Sequence, residues 1–223
     1  LRVFGKSKAS NPKLMQFYAD KIDDYNIIVI QEIRDEEQNA FPKLCAMLPE
    51  YNCIASSRAG TTSSKEQYGI IFKDAQLISQ TDWNTPDHNA EFERAPFEAT
   101  FQSKNWKFTI ITIHTKPQDV SRELQNLETL LKERENEEII ILGDLNADCD
   151  YYGQEDEKKL SNWVWEIPQT EDTTVSNTNC AYDRIIHTKS VSDNFAGYGV
   201  MRDVDKNQSD HYLIWGKFKS PAN

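Results

Sequence analysis

The chain has 223 residues, 38% of them hydrophobic, and a formal net charge of −11. That length buries a sizeable core and favours one domain over several, since no Gly/Ser- or Pro-rich linker, repeat or low-complexity tract divides it. No apolar run is long enough to cross a bilayer, and an acidic protein gets no help from its global field in approaching a polyanion. In chain order, Leu1-Arg2-Val3-Phe4-Gly5 reads like the end of a strand, so a segment ahead of Leu1 is expected to be missing. Asn11–Tyr25 reads as a helix, with Ser10 and Asn11 as capping residues and Pro12 in the first turn. Ile27–Ile33, Tyr68–Phe72, Phe108–Ile113, Ile139–Leu142, Arg184–Ile186 and Tyr212–Phe218 read as short buried strands. Glu37–Leu48 has weaker helical spacing. Asp119–Arg134 stacks Leu124, Leu127, Leu130 and Leu131 on one face of a helix. Strands alternating with helices predict an α/β or α+β domain over residues 1–223 with sheet at its centre.

Four of the apolar runs border chemistry-bearing residues. Ile27–Ile30 runs into Gln31-Glu32, and Phe108–Ile113 ends at His114. Ile139–Leu142 runs into Gly143-Asp144-Leu145-Asn146, and Ser209-Asp210-His211 precedes Tyr212–Phe218. Charges at strand ends are costly to dehydrate unless paired or bound to something. Converging on one rim of a sheet, these clusters would form a metal and acid–base site. Each also has a bland reading: a solvated charge for Glu32, a turn for Gly143–Asn146, core or surface roles for the histidines. His88 and His187 are left to that reading, and Asp183 could simply pair with Arg184. Cys45, Cys53, Cys149 and Cys180 lack zinc-ligand spacing; two disulfides and four buried thiols fit the count equally.

Gln31-Glu32-Ile33-Arg34-Asp35, Gly143-Asp144-Leu145-Asn146, Cys180-Ala181-Tyr182-Asp183-Arg184-Ile185 and Ser209-Asp210-His211-Tyr212 resemble the blocks of the endonuclease/exonuclease/phosphatase superfamily. The Cys-Ala-Tyr-Asp-Arg block and Asp172-Thr173-Thr174 are similar to its DNase I-like branch. The resemblance runs through nearly the whole chain. It implies a four-layer α/β sandwich of two packed sheets flanked by helices. The implied activity is cleavage of DNA, with little sequence specificity, to 5′-phosphate products, using Mg²⁺ or Mn²⁺ with support from Ca²⁺. His114 and His211 match the two histidines at the scissile phosphate, oriented by Glu66 and Asp183 respectively. Glu32, Asp144, Asn146 and Asp210 match the metal- and phosphate-binding set. Asp172, Thr174, Ser176 and Thr178 match a structural calcium loop. Arg2, Arg34, Arg94 and Tyr151 match DNA-contacting positions, with Arg34 at the minor groove. Cys149 and Cys180 match a stabilising disulfide; Cys45 and Cys53 have no counterpart. The resemblance further implies a secreted or periplasmic monomer with no membrane insertion.

The chain departs from that pattern in places. The family's opening strand, whose asparagine joins the site, would lie just ahead of Leu1. Ser64 stands where the family packs a tyrosine against DNA, and Trp83–Glu93 is short and carries no cysteine, which puts a second calcium site in doubt. Asn207-Gln208-Ser209 is formally a glycosylation sequon, discounted because a sugar there would obstruct Asp210 and His211. Two alternatives share most of these blocks: another phosphoesterase of the same fold (abasic-site endonuclease, sphingomyelinase or inositol phosphatase), and a homologue that binds DNA or protein without cutting.

Overall fold

The computed structural model describes residues 2–88, 90–153 and 158–221. Eleven strands are formed among them: β1 (Ile27–Ile33), β2 (Asn52–Ala55), β3 (Gln67–Phe72), β4 (Gln76–Asp82), β5 (Phe97–Ser103), β6 (Trp106–Thr112), β7 (Ile139–Asp144), β8 (Val164–Trp165), β9 (Asp183–His187), β10 (Phe195–Met201) and β11 (Leu213–Phe218). The helices are α1 (Lys6–Ala9), α2 (Pro12–Ile22), α3 (Ala40–Cys45) and α4 (Val120–Leu131). Asn11 caps α2 by accepting from the Lys13 and Leu14 amides, at 3.1 and 3.3 Å.

A six-stranded sheet runs in the order β4-β5-β6-β7-β9-β8. Its pairs are antiparallel except β6 and β7, which are parallel and joined through α4. A parallel pair needs such a crossover. The facing layer holds a three-stranded sheet, β1-β3-β2, and a β10-β11 hairpin. Successive side chains of a strand point to opposite faces, and the core divides accordingly. Ile70, Phe108, Ile110, Ile140 and Ile185 pack between the sheets. Ile111, Ile139, Ile141 and Ile186 pack under Leu124, Leu127 and Leu131 of α4. Ile71, Ile30 and Ile33 pack under Met15 and Tyr18 of α2 and Phe41 and Leu44 of α3. The result is helix, sheet, sheet, helix: the four layers expected.

The second layer is not continuous. Among the described residues no hydrogen bond joins β1 to β11, and a cavity of about 1210 Å³ lies between them.

Five strands escape a search for apolar runs, β8 being only two residues long. β4 is an edge strand of mostly exposed polar residues, Gln76 to Asp82. β5 buries Glu98 because Arg134 reaches it with two 2.9 Å bonds. β10 is rich in glycine, and Gly199 lies against the Trp215 indole where a Cβ would collide. β2 has only four residues.

Both pairs of cysteines are bridged: Cys149–Cys180 across 31 residues, and Cys45–Cys53 across 8, tying α3 to β2. Two disulfides fit an oxidising compartment. Closing the longer loop is expected to contribute about 3–4 kcal/mol, against roughly 2–3 for the shorter. The C149S/C180S double variant should therefore lose more stability in urea titration than C45S/C53S; equal losses, or none, would count against this ranking.

Candidate active site

The topology explains why distant residues meet. The C-terminal ends of parallel β6 and β7 share a rim with the start of antiparallel β9, where Asp144 lies opposite Asp183. The end of β1 faces the start of β3, which brings Glu32 near Glu66. Thr174 forms a bridge to His211, and the Val175 and Tyr212 amides donate to Asp210 O and Thr173 O at 2.7 and 2.9 Å. The loop at 172–178 therefore holds His211 against the same rim.

Two histidine–carboxylate pairs face each other there. Nδ1 of His114 is 2.9 Å from Glu66 Oε2, and Nδ1 of His211 is 2.6 Å from Asp183 Oδ2. Both Nε2 atoms turn to one oxygen, Asp144 Oδ2, at 3.5 Å from His114 and 3.6 Å from His211. The bland pairing of Asp183 with Arg184 is not made. Arg184 is buried and donates instead to the carbonyls of Ile167 and Ala147. His88 and His187 keep their bland roles: His88 meets Glu91, while His187 is fully buried between Glu166 and Thr188 O.

Burial shapes the charges. It would lower the His211 imidazole, but Asp183 and Asp144 outweigh it and push the group up to about 10. It would raise the Glu66 carboxyl, yet His114, Arg94 and Arg34 pull that group down to about 2. Burial raises the Asp144 carboxyl, with His211 and His114 opposing.

Two of the arginines expected at DNA pair with a carboxylate of the site. Arg34 donates to Glu66 from Nε at 3.0 Å and from Nη2 at 2.5 Å, and lies 3.4 Å from Glu32. Arg94 donates to the carbonyls of His114 and Thr115 at 2.9 and 3.0 Å and also approaches Glu66. Both are paired with the buried Glu66 carboxylate, with 31% of the Arg34 side chain and 11% of the Arg94 side chain exposed. Arg2 is largely exposed and 3.9 Å from Asp210, and Tyr151 is 39% exposed beside Tyr182.

The expected metal set comes together in two parts. Asn146 follows Asp144 in a left-handed turn (φ 47°), its amide on Asp144 Oδ1 at 3.0 Å and its Nδ2 on Thr115 O, which leaves Oδ1 for a ligand. Glu32, also left-handed (φ 57°), accepts from the Val3 amide, and Lys8 lies within electrostatic reach of both Glu32 and Asp210. Among the described residues, no three His, Cys, Asp or Glu side chains gather closely enough to enclose a metal ion by themselves. The calcium set does converge: Thr174 Oγ1 contacts Asp172 Oδ1 and Ser176 Oγ at 3.0 Å, and Thr178 O at 3.2 Å.

Five residues that position the site had no separate signal in the sequence. The Gln31 amide donates to Thr112 Oγ1 and Ile113 O and accepts from the Asp144 amide, all at 2.9 Å. A Cβ at Gly143 (φ 154°) would strike Gln31 and the Ile113 carbonyl, so the chain passes there only without a side chain. The Tyr68 hydroxyl accepts from the His114 amide and donates to Arg94 O. Tyr18 and Lys8 both donate to Gln208 O, pinning the loop before Asp210.

The comparisons agree with this geometry. The Endonuclease/Exonuclease/phosphatase family model matches residues 1–211. The chain is 29% identical to deoxyribonuclease-1 of Bos taurus over 248 residues, covering 96% of this chain and 88% of that protein. It is 31% identical to deoxyribonuclease gamma of Homo sapiens over 256 residues, covering 99% and 84%. In fold it is similar to the mannosyl-6-phosphatase of Bacteroides thetaiotaomicron VPI-5482, with TM-score 0.73, 16% identity and 96% and 95% of the two chains covered. The human Nocturnin catalytic domain with bound sulfate matches at TM-score 0.69 and 14% identity, covering 98% and 91%. The chain belongs to the endonuclease/exonuclease/phosphatase family, as a relative of its deoxyribonucleases.

Proposed function

We propose that this protein is a secreted, monomeric, divalent-metal-dependent endonuclease that hydrolyses DNA phosphodiester bonds with little sequence preference, leaving 5′-phosphate ends. The observation that carries the reading is the meeting of two carboxylate-backed imidazoles over Asp144. The kinship with deoxyribonucleases favours DNA as the substrate. No helix among the described residues is long and apolar enough to cross a membrane.

The residues present suit a hard cation. Mg²⁺ is commonly held by one or two carboxylates, with water and substrate phosphate completing its shell, so a full protein cage is not required. Glu32 and Asp210 would supply those carboxylates, with Asp144 and the free oxygen of Asn146 beside them. When bound, the ion neutralises the non-bridging phosphate oxygens and favours the charge built up in the transition state. The rest is done by side chains. His211, kept protonated by Asp183 and Asp144, donates from Nε2 to the developing anion. His114, its Nδ1 held by Glu66, is free to exchange a proton at Nε2. Contacts to the sugar–phosphate backbone fix register without reading sequence.

A supercoiled-plasmid nicking assay tests the proposal. Mg²⁺ should give nicks in undamaged plasmid, EDTA should abolish them, and the ends should carry 5′-phosphate. Cutting confined to abasic plasmid, or phosphate release from inositol or sphingolipid substrates in place of nicking, would overturn it.

We assign Ca²⁺ to the loop of Asp172, Thr174, Ser176 and Thr178. Its bridge to His211 couples ion binding to the site. Millimolar Ca²⁺ should raise the melting temperature, by roughly 2–4 °C for each kcal/mol of binding linkage. D172A should lose that rise; an unchanged rise in the variant would place the ion elsewhere.

A further inference from the structure

The affinity of a site for Ca²⁺ depends on how much negative charge its ligands carry. The loop of Asp172, Thr174, Ser176 and Thr178 offers one carboxylate; its other oxygens are neutral hydroxyls and a carbonyl. The state of the Asp172 charge therefore decides how strongly the loop attracts a cation. Its two oxygens are used differently. Oδ1 turns into the loop and accepts from the amide and the hydroxyl of Thr174, both at 3.0 Å. Oδ2 lies 3.8 Å from Nη1 of Arg202, the only ion pair of Asp172 among the described residues.

Arg202 is put there by the β10-β11 hairpin. Met201 ends β10 and pairs with Leu213 at the start of β11, so Arg202 and Tyr212 open and close the connection that carries Asp210 and His211. The Arg202 guanidinium lies 5.2 Å from the centre of the Tyr212 ring, within cation–π range. Its Nη2 also donates to Glu171 Oε1 at 2.7 Å. One side chain thus grips Glu171 and Asp172 at the head of the loop and the ring that follows His211. The Tyr212 amide in turn donates to Thr173 O at 2.9 Å. These contacts brace both sides of the bridge between Thr174 and His211.

A guanidinium keeps its charge at any physiological pH. Beside Asp172 it does part of what a bound cation would do, since it neutralises the carboxylate and ties the loop to the hairpin. It also repels a second cation. We propose, building on the assignment of Ca²⁺ to this loop, that Arg202 is a tethered counter-ion: it weakens Ca²⁺ binding at Asp172 and holds the loop against His211 when calcium is scarce.

The test is a titration with Ca²⁺ alone, followed by calorimetry and by amide hydrogen exchange of residues 171–178, on the intact wild type and on R202Q. The Arg202 side chain is 50% exposed, so R202Q should fold. R202Q should bind Ca²⁺ more tightly by roughly tenfold, the scale of removing one well-solvated unit charge a few ångströms from a divalent ion. In EDTA its loop should exchange about threefold or more faster than that of the wild type, and saturating Ca²⁺ should make the two equal. In a D172A background the same substitution should gain no affinity, because the shared carboxylate is gone. Unchanged or weaker Ca²⁺ binding by R202Q, or ion-free exchange no faster than in the wild type, would overturn the proposal. Equal Ca²⁺ protection of the loop in both proteins would leave the calcium assignment standing without a role for Arg202, whereas no Ca²⁺-dependent protection in either would remove both. Neither readout involves DNA cleavage, so the nuclease reading stands or falls separately.

Discussion

Replacing His211 with alanine is expected to lower the Mg²⁺-dependent nicking rate by roughly 10²–10⁴-fold, the usual worth of a positioned acid–base group. The ring is fixed at both ends, with Nδ1 on Asp183 at 2.6 Å and Nε2 on Asp144 at 3.6 Å. Burial opposes its charge, but the two carboxylates hold it protonated up to about pH 10. The H211A variant should stay folded, because His211 is partly exposed and its amide bond to Ser209 Oγ does not involve the ring. Asp183 is a positioning residue, and its test is a pH profile. Removing its charge in D183N lowers the His211 pKa, so the alkaline fall in kcat should move to lower pH. Near-normal nicking by H211A would remove His211 from the reaction. An unmoved alkaline limb in D183N would remove Asp183 from the control of its charge.

The parts of this site legible in the sequence are those where an apolar strand breaks abruptly into a polar cluster. Ile139–Leu142 giving way to Gly143-Asp144 and Phe108–Ile113 stopping at His114 are of that kind, because strand ends on one rim are what the fold brings together. The strand limits of Ile27–Ile33 were readable for the same reason, since both its faces are apolar. What stayed hidden depends on tertiary charge. Arg34 and Arg94 read as DNA-contacting positions, and nothing in the sequence shows that both also pair with the buried Glu66 carboxylate. Gln31 has a role only through its bonds to the Ile113 carbonyl and the Asp144 amide, partners 82 and 113 residues away. β4 was silent because an exposed edge strand needs no apolar pattern, and β10 because Gly197 and Gly199 interrupt its run of Phe195, Tyr198, Val200 and Met201. The pairing of Cys45 with Cys53 could not be counted out of an even number of cysteines; it needed α3 and β2 side by side.

The E66Q variant is expected to lose activity and stability together, and the pH dependence separates the two. Glu66 is 1% exposed and its two oxygens serve three partners: Arg34, Arg94 and the His114 ring. Glutamine keeps the shape but offers one acceptor and no charge, leaving two guanidinium groups short of a counter-charge in a buried place. Breaking such a pair from one side costs about 3–5 kcal/mol. The carboxyl lies at about 2 when folded, below its ordinary 4.5. Its contribution to stability is therefore fully present above pH 4.5 and is lost as the pH falls toward 2. Urea titrations of the wild type should show that loss across this window, while E66Q, already without the charge, should run flatter there. The nicking rate of E66Q at pH 7, measured where the variant is still folded, should fall because the His114 ring loses the anion that fixes its orientation. Parallel pH profiles for the two proteins would mean that Glu66 is not the group titrating, and an E66Q enzyme of wild-type rate would leave His114 without need of its carboxylate.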